Sequence, residues 1–119
     1  MATIPYTVVS VPQNDATGAT GIVYWPSMAN GDVGQAIEMF KYTDRTIQVF
    51  GTFGAGGTVT AKGSLNNSNY ATLADPNGND LAITAAKIET VLEATRYFRP
   101  EVTAGDGTTS VTVYLQYRG

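Results

Sequence analysis

The sequence predicts an all-β fold, an antiparallel β-sandwich of Greek-key or jelly-roll kind. Three observations predict it. Apolar and polar residues alternate with a period of two, most clearly over residues 109–118. Clusters rich in Gly and Asn interrupt these runs at short intervals. The chain has 119 residues, which suits one domain over 1–119. Size scaling leaves roughly 6,000 Å² exposed after folding, so about two thirds of the extended-chain surface is buried.

The elements follow in chain order. Residues 5–11 form a short strand candidate, with Tyr6 and Val8 on one side and Thr7 and Val9 on the other. Residues 1–12 either join the sandwich or extend from it as an N-terminal arm. Further strand candidates are 21–25 and 36–43, with loops at 13–20 and 26–34. A hairpin is expected over 46–65. Ile47, Val49, Gly51 and Phe53 alternate there against Thr46, Gln48, Phe50 and Thr52, and Gly54 to Gly57 supply the turn. Val59, Ala61, Gly63 and Leu65 continue the inward face. Loops are expected at 66–69 and 75–80. Residues 81–94 are ambiguous: Ala85, Ala86, Ile88, Val91, Leu92 and Glu93 allow one short helical turn near 85–93, while Thr84, Thr90 and Val91 also allow strand. A second hairpin is expected to pair 97–102 with 109–118 around Gly105-Asp106-Gly107. Pro100 lacks a donor, so an edge position or a bulge is expected there. In the last run Thr109, Val111, Val113, Leu115 and Tyr117 point inward.

Composition narrows the function classes. The chain has no Cys and no His. Disulfides, thiol catalysis and Cys-ligated zinc are excluded. The usual general base and the commonest metal ligand are missing. Net charge is −3, and the seven basic residues are scattered, with only Arg96 and Arg99 close together. That pair reads as two solvated side chains near a strand, and neither nucleic acid nor an anionic membrane is an expected partner. Charged residues make up 14% of the chain, against about 25% in ordinary domains. Such a weakly charged surface suits a broad permanent contact. The N-terminal residues Met1 to Pro5 lack the basic-then-apolar pattern of a secretion signal, which predicts a protein made in a cytoplasm.

Several motifs fail on inspection. Gly51 to Gly57 suggests a phosphate loop, but the third glycine of the dinucleotide fingerprint is missing and a strand follows instead of a helix. Asp75 to Asp80 spaces oxygens like the start of a calcium loop, but Asp80 and Ala86 stand where Gly and Glu are needed. Pro76-Asn77-Gly78 reads as a turn. Glu89 and Glu93 read as exposed carboxylates, not a catalytic pair. No enzyme activity, metal or cofactor is expected. Trp25, the single tryptophan, reads as a core or rim anchor, or as a contact aromatic. With the loop read from Pro26 to Asp32, it gives four candidate interface residues: Trp25, Pro26, Met28 and Asp32.

The order of several pieces resembles a known family. Thr46 to Gly54 leads into Gly57-Thr-Val-Thr60 and Lys62-Gly-Ser-Leu-Asn-Asn67. Asp75-Pro-Asn-Gly-Asn79, Tyr97-Phe-Arg-Pro100 and Val102 to Thr109 follow, with Trp25 and Gly31-Asp32 upstream. Over roughly residues 22–118 the chain resembles the jelly-roll capsid decoration, or cement, proteins of tailed bacteriophages and prophages. Leu65 departs from the pattern, since a polar turn residue is expected there. The resemblance implies binding to the major capsid protein on the outside of an HK97-type head, across capsomer seams. It also implies self-association as a dimer or trimer, synthesis in the host bacterial cytoplasm and residence on the virion exterior. Two alternatives are a carbohydrate-binding module built on Trp25, Tyr70, Asn66, Asn67 and Asn69, and another phage structural subunit of the tail or head-completion kind.

Overall fold

The computed structural model describes residues 2–10, 20–39 and 41–119, and shows two packed β-sheets. The strands are β1 Thr3–Ile4, β2 Thr7–Ser10, β3 Thr20–Met28, β4 Val33–Gly34, β5 Ile37–Glu38 and β6 Asp44–Thr52. They continue as β7 Thr58–Ser64, β8 Ala71–Thr72, β9 Ala82–Ile83, β10 Lys87–Val91, β11 Tyr97–Ala104 and β12 Ser110–Arg118. One sheet runs β10-β6-β12-β3-β2. The other runs β1-β4-β11-β7-β8, with β5 also on β11 and β9 also on β7. Taking β4 with β5, and β8 with β9, as interrupted strands gives the two interleaved sheets of a jelly roll. The all-β sandwich predicted from sequence is therefore the observed fold, and its accessible surface is 6172 Å².

Alternation explains the core. Ile47, Val49, Val111, Val113, Leu115 and Val23 project inward from one sheet and are fully buried. Val59, Ala61, Phe98 and Val102 face them from the other, all 2% exposed or less. Trp25 joins the layers, with its ring 6.0 Å from that of Phe98 on β11 and 6.0 Å from that of Tyr6. Its indole Nε1–H donates to the Gln35 carbonyl at 3.0 Å, which satisfies the one polar atom such burial would otherwise strand.

Four expectations are corrected. Residues 85–93 contain no helical turn: β10 pairs antiparallel with β6 from Lys87↔Val49 to Val91↔Arg45. Backbone pairing along an open sheet edge overrides the weak helical pattern. The two expected hairpins are both arches. β6 and β7 lie in different sheets, and so do β11 and β12. Each glycine-rich loop crosses from one layer to the other instead of turning back within a sheet. Pro100 is neither at an edge nor at a bulge. It lies in β11, between β7 and the β4/β5 side, and the irregularity of that strand falls between Val102 and Ala104. Its missing donor is tolerated because β11 pairs with β5 at Tyr97 and Phe98 and with β4 only at Glu101, so the neighbour is interrupted beside it. The ring fills the gap against Gly34, where an added Cβ would lie 2.6 Å from the proline Cδ. Finally, Leu65 ends the inward alternation early and is 73% exposed.

Residues 2–10 fold onto this chain's own sheets. β1 adds in parallel to β4, and β2 adds antiparallel to β3. Pro5 separates the two short strands, so the segment touches both layers. Residues 1, 11 and 12 of the expected arm, and nearly all of the loop expected at 13–20, lie outside the described residues.

Candidate interaction surface

The sandwich presents two outer faces of different chemistry. On the five-stranded sheet, register sets Ile88, Gln48, Tyr114, Tyr24 and Thr7 side by side across all strands. The next outward row is Thr90, Thr46, Gln116 and Ile22. Tyr24 and Tyr114 stack at 4.9 Å with their planes 12° apart, and Phe50 stacks on Tyr114 at 5.7 Å. Ile88 is 61% exposed and Phe50 is 40% exposed. A shallow depression of about 130 Å³ is lined by Ile22, Thr46, Gln48, Ile88, Tyr114 and Gln116. No charged side chain interrupts these two rows. Among the described residues, charge returns on this face at one end, where Arg118 and Asp44 pair at 2.8 Å.

The outer face of the seven-stranded sheet is charged. Arg99 lies directly across from Lys62, and Glu101 pairs with Arg99 at 3.1 Å. The Arg99 guanidinium also sits 3.8 Å from the Tyr70 ring centroid, and burial raises the Tyr70 phenol pKa. Arg96 pairs with Glu38 at 3.0 Å.

The residues singled out from sequence fall elsewhere. Trp25 and Met28 are fully buried, so neither presents a side chain to a partner. Pro26 is half-buried, and it lies in β3, not in a loop. Asp32 is 9% exposed, and its carboxylate accepts from the Ala29 amide at 2.8 Å and the Ala2 amide at 3.1 Å. It closes the turn after β3 and ties down the chain start. The sugar-stacking alternative loses its ring, since a buried indole cannot lie against a sugar. Tyr70 donates to Asn67 Oδ1, and Asn66 Oδ1 accepts from the amides of Ser68 and Asn69. Those side chains shape their own loop.

The remaining polar constellations are also structural. Asp75 Oδ1 accepts from the amides of Asn77 and Asn79 at 2.9 and 3.0 Å, as an Asx turn does. Glu93 accepts from the Ala74 amide, whereas Glu89 pairs with Lys87. Among the described residues, no group of three or more acidic, His or Cys side chains could hold a metal ion. Arg45, 2% exposed, is the one buried cation among the described residues. It donates to the carbonyls of Tyr42, Met39, Glu93 and Thr95 and to the Thr95 hydroxyl. Desolvation brings its pKa down to about 10, which leaves it charged at neutral pH.

Sequence reasoning put Phe50, Tyr114 and Gln116 on the outward side of their strands. It missed that Tyr24, Ile22 and Ile88 join them. The signal was present as aromatic and branched residues at outward positions of separate strands. Only the pairing of β10, β6, β12 and β3 assembles them into one patch.

Comparisons with known proteins bear on the fold. No family model matches the chain, and no curated protein matches it. Among solved structures, the chain is similar to the SPBc2 prophage-derived protein YomS, with a TM-score of 0.65 and 10% identity. That match covers 84% of this chain and 95% of YomS. It is also similar to Peruvianin-I, a cysteine peptidase from Thevetia peruviana latex, with a TM-score of 0.50 and 12% identity. There it covers 96% of this chain but 61% of the peptidase. At these identities the likeness concerns the fold alone.

Proposed function

We propose that this chain is a structural protein of a tailed-bacteriophage particle, a decoration protein on the outside of an HK97-type capsid. The observation that carries this reading is the fold shared with a prophage-derived protein, a likeness that covers 84% of this chain and 95% of that one. The order of sequence pieces that resembles the decoration family supports it. So does the chemistry of the surface, which offers two broad sheet faces and no His or Cys for catalysis.

The mechanism is mechanical. Packed double-stranded DNA pushes outward on a capsid. A rigid sandwich bound across a seam between capsomers adds buried area that must be lost before the seam opens. A contact of about 1,600 Å² with a well-packed centre supplies nanomolar binding or better. Repetition over equivalent sites strengthens the whole shell. A sandwich with few exposed charges loses little of that contact as salt rises. Reaction chemistry plays no part, and the chain resides on the virion exterior with the major capsid protein as partner.

Mixing the purified protein with undecorated heads and pelleting them tests the proposal. Co-sedimentation at micromolar concentration, and heads that open at higher temperature, are expected. Failure to co-sediment would sink it. Stoichiometry in intact particles separates decoration from a tail or head-completion role. A decoration protein is present on the scale of the shell subunit, a connector only as a small ring.

A further inference from the structure

We propose that the uncharged outer face of the five-stranded sheet is a two-fold interface with a second copy of this chain. A two-fold contact lays a patch on itself, so a fixed charge near its centre meets its own kind. The rows from Ile88 to Thr7 and from Thr90 to Ile22 contain no such charge. The other outer face fails this condition, because Lys62 and Arg99 lie side by side near its middle.

Area and shape agree with a second copy as occupant. β3, β6 and β12 are nine residues long. Counted with the five residues of β10 and the four of β2, at about 3.4 Å per residue and about 4.8 Å per strand, the face covers roughly 600 Å² before side-chain relief is added. A stable pair needs about 800 Å² from each partner, which that relief brings within reach. The face also carries both halves of a self-complementary contact. Phe50 is an exposed apolar ring, and the depression walled by Ile22, Ile88 and Tyr114 lies beside it. In an isologous pair each ring can enter the depression of the other copy. An exposed patch of this kind marks an interaction site more often than plain surface. A polyanion or a strongly charged protein finds nothing on it to grip.

The test is sedimentation equilibrium of the full chain, with Phe50→Glu, Ile88→Glu and, on the opposite face, Thr103→Glu. The wild type should give twice the 12.6 kDa chain mass at micromolar concentration. Phe50→Glu and Ile88→Glu should each weaken pairing by at least about tenfold, while Thr103→Glu leaves it unchanged. Ile88 is 61% exposed on an edge strand, so its variant keeps the test alive if Phe50→Glu fails to fold. A monomeric wild type, a trimer, or a dimer indifferent to both face variants would overturn the inference. Head binding is a separate readout. A dimer that ignores heads removes the capsid reading and leaves this one standing. A monomer whose head binding is lost in Ile88→Glu assigns the face to the shell and removes this one.

Discussion

The outer faces of the two sheets sit on one core yet differ in almost every respect. The outer face of the five-stranded sheet shows stacked tyrosines, Phe50 and amide or hydroxyl side chains, with the Arg118–Asp44 ion pair at one end. The seven-stranded sheet shows Arg99, Glu101 and Lys62 at its centre, with Tyr70 beneath the Arg99 guanidinium. Both faces obey the same alternation. What differs is the material placed at the outward positions, and that choice is free of the fold. Charge on one face keeps that face wet and discourages edge or face association. Its absence on the other lowers the desolvation cost of covering it. The jelly roll supplies a rigid body, and the composition of each skin decides what that body can meet.

The largest way to break this comparison is to remove the core that both faces share. Trp25→Ala deletes the ring that bridges β3 and Phe98 and leaves the Gln35 carbonyl without its donor. A loss of about 3–5 kcal/mol is expected. For a chain of this size that lowers the melting midpoint by roughly 12–20 °C. A midpoint within about 3 °C of wild type would show that the sheets are held by something else.

Arg45→Met comes next. The guanidinium ties Met39 and Tyr42 to Glu93 and Thr95, and so fixes one end of the five-stranded sheet. Removing it strands several carbonyls, and a loss of about 3 kcal/mol is expected in urea unfolding. Because Arg45 pairs with Val91 and Tyr117 in the strand ladder, amide exchange in β10 should accelerate more than in β7.

How much of this was legible in the sequence depends on whether pairing or periodicity decides it. Periodicity placed Val111, Val113, Leu115 and Tyr117 inward and Tyr114 and Gln116 outward, and the structure agrees. Pairing was not readable. An arch and a hairpin both join alternating runs through glycine-rich loops, so Gly54 to Gly57 and Gly105 to Gly107 carry the same signal for either. The candidate patch depends on which strands are neighbours, so it was lost with the hairpins. Trp25 shows a second limit. Tryptophan is enriched both in cores and at contacts, and only burial separates the two.

The junction between the layers offers the third prediction. Asp106, in the second arch, accepts from the Ala55 amide of the first at 2.9 Å and from the Thr108 amide and hydroxyl. Gly54, at φ +72°, permits this approach, since a Cβ there would lie 2.3 Å from Asp106 Oδ1. The Ala55 amide, with the Thr108 donors, lowers the carboxyl pKa from 3.8 to about 2. The sign follows from linkage. The folded state holds the ionised form more tightly than the unfolded state. The stabilisation is therefore complete above pH 3.8 and is lost as the pH falls through about 2. Asp106→Asn should be less stable than wild type at neutral pH, and the gap should close across that window. A gap that stays constant down to pH 2 would assign it to loop packing instead.

The smallest effects sharpen the comparison most, because they ask each face how it responds to salt. Tyr114→Ala removes both aromatic contacts of the uncharged face, worth about 0.5–1.5 kcal/mol each beyond area loss. That loss should not change with ionic strength when it is measured at a dilution where self-pairing is absent. Glu101→Gln removes the acid that pairs with Arg99, leaving Arg99 and Lys62 across from one another without it. Its cost should be below about 1 kcal/mol in dilute buffer, since the pair is partly exposed. In about 1 M salt the Debye length contracts to about 3 Å, and most of that cost should vanish. A salt-sensitive Tyr114→Ala, or a salt-blind Glu101→Gln, would mean that the two skins are not electrostatically distinct. The reason for assigning one of them to contact with a second copy would then be gone.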